Sequence, residues 1–259
     1  VAIAIEHALR SVVERSTYEH VEYVVVADRV TPPDVVAALE SCCGDRLRLV
    51  WFDGPFNFSS KINAGVLESS GDVVIMLNDD VEVVTPDWIE TLVALVQEPD
   101  CGMAGAKLLF ADGTLQHAGH VYPGGNMTHI YLGYPEDEPG VEHMLHIERE
   151  CSGVTAACAA VRRDVFEAVG GLCEDLPANF NDVDFSLKIR QLGLRVVWTP
   201  HAVLYHFESA TRVRTVTSGE VELIQSRWSE VLHHDPYHNP NLRDDRSDWV
   251  PRRTPDAWA

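Results

Sequence analysis

VVIMLNDDVEV, residues 73–83, changes character midway. Five apolar residues, Val73 to Leu77, run straight into Asn78, Asp79 and Asp80. An apolar run of this length reads as a strand buried on both faces, as in the central sheet of an α/β domain. In open α/β sheets ligands sit outside the carboxyl ends of the strands, and the acids stand at that end. One such acid alone is best read as an Asx turn at the strand exit. Two adjacent carboxylates at the floor of a cleft repel each other unless a cation neutralises them. Hard carboxylate oxygens suit Mg²⁺ or Mn²⁺, which in turn would hold a diphosphate.

The flanking sequence alternates in the manner this reading requires. AIEHALRSVVER has helical spacing, VEYVVVA reads as a strand, PPDVVAALESC as a helix opened by proline, RLRLVWF as a strand and SSKINAGVLESS as a helix. Thr85 followed by Pro86 predicts an N-cap and first helical position for PDWIETLVALVQ. Strands alternating with such helices predict a mostly parallel, Rossmann-like sheet covered on both faces. The opening strand usual in such a domain is absent, since the chain begins in a helix. Beyond about residue 100 the rhythm changes. CGMAGAKLLF, TLQHAGHVY and GVTAACAAV read as strands between Gly/Pro-rich loops, NDVDFSLKIRQLG as a helix, LRVVWT and AVLYHF as two strands, and GEVELIQSRWSEVLHH as a terminal helix. The expected organisation is one domain over residues 1–234, divided near residue 105, with a tail over 235–259 that packs along the surface or is loose.

Composition narrows the functions. Of 259 residues, 46% are hydrophobic, enough for a substantial core. Lys and Arg total 20 against 40 Asp and Glu, a formal charge of −20 that repels nucleic-acid phosphates and anionic lipid. No apolar run approaches the length of a membrane span, and the start lacks the basic leader of a signal peptide. The six cysteines form no CxxC pair and read as reduced thiols. Most of the twelve histidines lack helical or short-loop metal spacing.

A second acid cluster follows at Asn181-Asp182-Val183-Asp184. It has the composition of a helix start, Asn181 capping and both acids favoured by the dipole. Helical spacing separates the acids. Asp182 shares a face with Phe185 and Ile189, toward a core or cleft, whereas Asp184 aligns with Lys188 and Gln191 as a surface pair. An inward carboxylate at a helix N-terminus suits a general base.

Taken in order, VVIMLNDDVEVVTPDWIE, GGLCEDLPANFNDVDFSLKIRQLG and YHFES, with FNFSSKINAG and DPYHNPNL, resemble the inverting family 2 glycosyltransferases of GT-A fold, especially those building bacterial surface polysaccharides. The resemblance runs from about Val21 to Leu242. It implies a Mn²⁺ or Mg²⁺ cofactor held by Asp80 with Asn78 or Asp79, with His206 as a further ligand, and Asp182 as catalytic base. It also implies that Asp28 contacts the nucleotide base, that Lys61 and Asn63 touch the nucleotide-sugar, that Arg212 neutralises phosphate, and that Ser152 to Cys158 border the donor sugar. Without the resemblance, His206 reads as a core histidine and Lys61 as a solvated helix residue. Asn78 stands where the family's first metal-binding acid would be, and Asn181 where it has Glu.

The implied function is transfer of a sugar from a nucleotide diphosphate sugar to a hydroxyl of a glycan or lipid-linked glycan, in the cytoplasm or at the inner face of the membrane. A sugar-1-phosphate nucleotidyltransferase is disfavoured by the lack of a Gly-rich basic loop near the N-terminus. A non-catalytic binding or scaffold domain remains open because of Asn78 and Asn181.

Overall fold

The computed structural model describes residues 2–207 and 216–252. Its first half alternates as its periodicity dictates: α1 (Ala2–Arg15), β1 (Tyr23–Asp28), α2 (Pro33–Cys43), β2 (Leu47–Phe52), α3 (Phe58–Glu68), β3 (Val73–Leu77), β4 (Val81–Val83) and α4 (Trp88–Val96). The second half contributes β5 (Cys101–Leu109), three short strands β6 (Leu115–His117), β7 (His120–Val121) and β8 (Thr128–His129), then β9 (Arg149–Glu150) and β10 (Cys158–Arg162). The chain continues through α5 (Arg163–Ala168), α6 (Asn181–Gln191), β11 (Arg195–His206) and α7 (Ser218–His233).

Among the described residues β3, β10, β5, β11 and β4 lie in that order in a seven-stranded sheet, β6 adding to β5 and β9 to β11. The α/β architecture is as expected, but this sheet is mixed rather than mostly parallel. β5 and β11 are parallel, while β10 inserts antiparallel between β3 and β5, and β4 is antiparallel to β11. β1 and β2 pair in parallel with each other, apart from the larger sheet.

Side chains alternate across the sheet. Met103, Ala159 and Val196 face a core shared with Val66 of α3, Phe166 of α5 and Phe185 and Ile189 of α6. Ala104, Ala160 and Val197 face the opposite core, built with Ala8 and Val12 of α1 and Trp88, Leu92 and Val96 of α4. Two glycines set how closely the first layer approaches. A Cβ on Gly102 would come within 2.4 Å of Ile189, and one on Gly105 within 2.4 Å of Val154. Glycine in β5 thus lets α6 and the 152–158 segment lie directly on the sheet, which fixes where Asp182 ends up.

Several local expectations change. Thr85 does not cap α4. Its Oγ1 accepts the Val203 amide at 2.9 Å, and the helix starts at Trp88. LRVVWT and AVLYHF form the single strand β11, with a register shift between Trp198 and Val203 that accommodates Pro200, which cannot donate to a ladder. The tail over 235–252 packs back onto the domain. Buried Asp235 accepts the Tyr122 amide at 2.9 Å and the Ser152 hydroxyl at 2.5 Å, and buried Asp248 accepts the Tyr134 hydroxyl at 2.5 Å. No helix among the described residues is long and apolar enough to cross a membrane.

Candidate active site

β3 delivers Asn78, Asp79 and Asp80 to the end of the sheet, and β11, through its pairing with β4, brings His206 opposite Val81. The two segments meet closely. Asn78 Nδ2 donates to His206 Nε2 at 2.9 Å, and the same nitrogen faces Asp80 Oδ1 at 3.1 Å. Gln116, on β6, holds the ring in place: its Nε2 donates to the His206 carbonyl at 3.1 Å, and its Oε1 accepts from His206 Nδ1 at 2.6 Å. That second bond puts the ring proton on Nδ1 and leaves the Nε2 lone pair turned toward the acids. Asp80 and His206 are both buried, and Asn78 Oδ1 is buried with no hydrogen-bond partner among the described residues. Burial, and then the charge of Asp80, raise the Asp79 carboxyl above its ordinary range, while Lys61 works in the opposite direction. The Asp80 carboxylate and His206 Nε2, 3.1 Å apart and buried, with the Asn78 side chain beside them, are oxygen and imidazole donors of the kind that Mn²⁺ accepts.

Lys61, on α3, is not a solvated helix residue. Its Nζ lies 2.7 Å from Asp28 Oδ1 and over the rings of Phe52 and Phe56, 5.6 and 5.8 Å from their centroids. Asn63 does not join this cluster. Its amide donates to the Leu172 carbonyl and Glu174, both at 3.0 Å, and accepts the Leu172 amide at 2.9 Å, which ties α3 to the 171–174 loop. That engagement is structural. Arg212 lies outside the described residues.

The start of α6 is built differently from its sequence expectation. Asn181 is the first helical residue rather than the cap, and its amide donates to the Leu176 carbonyl at 3.4 Å. Phe180 precedes it in the left-handed conformation, φ 60°. Asp184 is fully buried instead of lying at the surface. It accepts from Trp228 Nε1 at 2.8 Å and Arg227 Nη1 at 3.2 Å, with Lys188 Nζ at 3.7 Å. The physical reason is that α7 covers the side of α6 that spacing alone leaves to solvent. Asp182 keeps the inward place expected of it, with one-fifth of its side chain still exposed and so reachable by a ligand. The Thr155 hydroxyl and the Val183 and Ala156 amides donate to it, yet burial holds its carboxyl above the ordinary range.

The segment from Ser152 to Cys158 links the two acid clusters. The Asn78 amide donates to the Ala157 carbonyl at 3.0 Å, and one residue earlier Ala156, with Thr155, reaches Asp182. Three consecutive residues therefore touch both the exit of β3 and the start of α6.

Three histidines that the sequence did not bring together stand behind Asp182. His117, His120 and His129 each offer a nitrogen within 4.8 Å of the others. His120 and His129 are register partners in the β7–β8 hairpin, and His117 leaves β6 just before it. His117 Nδ1 meets His129 Nδ1 at 2.7 Å, and the Thr155 amide donates to His117 Nε2 at 3.2 Å. Burial keeps His117 and His120 neutral, pushing His120 down to about 3. Only the His117-x-x-His120 pair was visible in the sequence. Its third member depends on hairpin register.

Comparison with known proteins places this arrangement. The profile of glycosyl transferase family 2 matches residues 3–170, and the chain belongs to that family. It is a glycosyltransferase domain by that membership. The chain is 40% identical over 253 residues to the uncharacterized protein y4gI of Sinorhizobium fredii (strain NBRC 101917 / NGR234), covering 93% of this chain and 28% of that protein. It is 36% identical over 252 residues to the O-antigen biosynthesis protein RfbC of Myxococcus xanthus, covering 95% of this chain and 20% of that one. The chain thus spans between a fifth and just over a quarter of these relatives' length. Its fold matches GalNAc-T7 solved with UDP, GalNAc and Mn²⁺ (TM-score 0.66, 14% identity, 86% of this chain and 45% of that chain). It also matches the mannosyltransferase PcManGT of Pyrobaculum calidifontis with GDP-Man and Mn²⁺ (TM-score 0.60, 16% identity, 91% of this chain and 60% of that chain). These structures support the GT-A fold that the sequence resemblance implied.

Proposed function

We propose that this domain transfers a sugar from a nucleotide diphosphate sugar to a hydroxyl of a glycan or lipid-linked glycan, with inversion at the anomeric carbon and with a Mn²⁺ or Mg²⁺ ion. The observation that carries this reading is the convergence on Thr155, Ala156 and Ala157 of a cation-accepting cluster and a separate, reachable carboxylate. Displacement at an anomeric carbon needs a diphosphate leaving on one side and an activated hydroxyl arriving on the other. Asn78, Asp79, Asp80 and His206 would hold the metal, which when bound neutralises charge on the departing diphosphate. Gln116 orients His206 for this. Lys61 and Asp28 contact the nucleotide end of the donor. Asp182, partly exposed and flanked by donors, takes the proton of the acceptor hydroxyl, a role worth about 10² to 10⁴ in rate. His120, His129, Thr155 and two amides lie against Asp182, and we assign it the proton of the acceptor hydroxyl in a single displacement. Two fold neighbours bind nucleotide and Mn²⁺, and RfbC is named for O-antigen biosynthesis, which agrees with a polysaccharide product. We place the reaction in the cytoplasm, at the inner membrane face where the acceptor is lipid-linked.

A thermal-shift panel of UDP, dTDP and GDP with and without Mn²⁺ tests the reading. One nucleotide should give a shift that depends on Mn²⁺, and Asp80→Ala should abolish it while leaving the fold intact. Unchanged nucleotide affinity in that variant would remove Asp80 from the site, and no response to any nucleotide would favour a scaffold domain. Retention of the donor's anomeric configuration, read by NMR of the product, would exclude the mechanism.

A further inference from the structure

We propose that His117, His120 and His129 form a second metal site, distinct from the Asp80–His206 cluster and suited to a transition-metal ion of the zinc class. Three imidazole nitrogens lie within 4.8 Å of one another, with ring centroids 4.8, 5.0 and 5.2 Å apart. Nitrogens bound to one ion at about 2.0–2.1 Å stand about 3.3–3.4 Å apart, so the wider pairs would close and the 2.7 Å His117–His129 pair would open, by shifts on the order of an ångström.

The cluster has ligand capacity that the protein leaves unused. His120 Nδ1 is buried without a hydrogen-bond partner among the described residues, and His120 Nε2 meets Asp182 Oδ2 only at 3.8 Å, beyond hydrogen-bond distance. An imidazole buried in this state is costly unless something coordinates it. His117 and His129 satisfy each other through the 2.7 Å contact between their Nδ1 atoms, and the proton they share gives way when an ion enters. Asp182 Oδ2 lies 3.8 Å from His120 Nε2, so with His120 bound through Nε2 this carboxylate, or a water, would complete a four-coordinate set.

The two sites differ in chemistry. Asp79, Asp80 and Asn78 present hard oxygens with one imidazole, a set that takes Mg²⁺ or Mn²⁺ with a diphosphate. Three imidazoles with one oxygen position favour Zn²⁺, Co²⁺ or Ni²⁺ and need no nucleotide. The backbone also prepares the site. Register pairing across β7–β8 fixes His120 against His129, and the Thr155 amide turns His117 Nδ1 toward them. One consequence rests on the proposed function: an ion sharing Asp182 would compete with the acceptor hydroxyl and slow transfer. The binding site itself does not rest on that reading.

The test uses the whole chain, freed of metal with a chelator and without nucleotide. Equilibrium dialysis against Zn²⁺ should give one ion per chain, and Co²⁺ titration should give the intense visible absorption of a four-coordinate nitrogen-rich site. His120→Gln and His129→Gln, which stand on opposite strands of the hairpin, should each weaken Zn²⁺ by about a hundredfold or more and remove the Co²⁺ band. Asp80→Ala should retain both signals. Circular dichroism of each variant confirms that it is folded, and one folded hairpin variant is enough. Wild-type protein that binds neither ion without nucleotide would overturn the proposal. So would a folded His129→Gln or His120→Gln that binds Zn²⁺ as tightly as wild type, or binding that is lost in Asp80→Ala. Failure of the nucleotide panel alongside retained Co²⁺ binding would count against the proposed function and leave this site standing.

Discussion

The exit of β3 and the start of α6 carry nearly the same letters, an asparagine with two acids, and use them in opposite ways. At β3 the asparagine and an acid are drawn into one cluster, because His206 arrives from β11 and Gln116 fixes its tautomer. At α6 the acids are split. Asp184 is sealed against Trp228, Arg227 and Lys188, whereas Asp182 remains partly open beside Thr155 and the histidines. Partners delivered from distant strands and helices, not the acids' own spacing, decide which carboxylate holds the fold and which is available for chemistry.

The sharpest break of this contrast makes the same edit at both α6 acids. Asp182→Asn keeps the shape and removes the proposed base, so turnover should fall by about 10² to 10⁴ while metal-dependent nucleotide binding survives. Its effect on stability should have the opposite sign. Burial raises the Asp182 carboxyl, so the charged form costs folding free energy at neutral pH. The neutral amide relieves that cost, and the variant should melt no lower than wild type. The relative gain should vanish as pH falls through the ordinary carboxylate range near about 4, where the unfolded chain is protonated too. A variant that melts well below wild type at neutral pH would show Asp182 to be a structural acid.

Gln116→Leu sharpens the β3 side. It removes both bonds that orient His206 without touching the acids, so Mn²⁺-dependent nucleotide binding should weaken by about 10- to 100-fold. Titration calorimetry with and without Mn²⁺ separates this loss from a metal-independent one. Equal affinities for wild type and variant would mean that the tautomer of His206 is irrelevant to the site.

Asp184→Asn should do the reverse of Asp182→Asn. It weakens charge-assisted bonds to Trp228 and Arg227 in a buried place, at a cost of about 1–3 kcal/mol measured by chemical denaturation. Transfer per folded molecule should change little. Loss of activity equal to that of Asp182→Asn would mean that the two acids share one role.

How far the sequence could be read follows from the same contrast. The strands and helices of the first half follow their own periodicity, and the acid clusters announce themselves through charge next to apolar runs. The inward face of Asp182 came from local spacing with Phe185 and Ile189. What spacing could not supply was the cover over Asp184, because α7 lies more than thirty residues further on. Nor could it supply the pairing of His129 with His120, which exists only once β7 and β8 are in register. The ties of Asn63 were out of reach for the same reason: its partners Leu172 and Glu174 lie more than a hundred residues away. The mixed order of the sheet was equally out of reach, since an antiparallel β10 between β3 and β5 leaves no mark on the periodicity of either neighbour.

The smallest expected effect concerns Lys61. Its ion pair with Asp28 joins a carboxylate with 48% of its side-chain surface exposed, so the pair is screened by water and contributes under about 1 kcal/mol to stability. Lys61→Gln should therefore move the thermal midpoint by very little. The same charge also opposes the rise in the Asp79 carboxyl, and the ammonium sits over Phe52 and Phe56 on the way from Asp28 to the acid cluster. If Lys61 serves the donor, its loss should weaken nucleotide binding several-fold. The loss should shrink at high salt, because the removed interaction is electrostatic and partly exposed. Thermal denaturation and nucleotide titration on one preparation measure both effects. A drop in thermal midpoint with unchanged nucleotide affinity would return Lys61 to a purely structural role and detach Asp28 from the site with it.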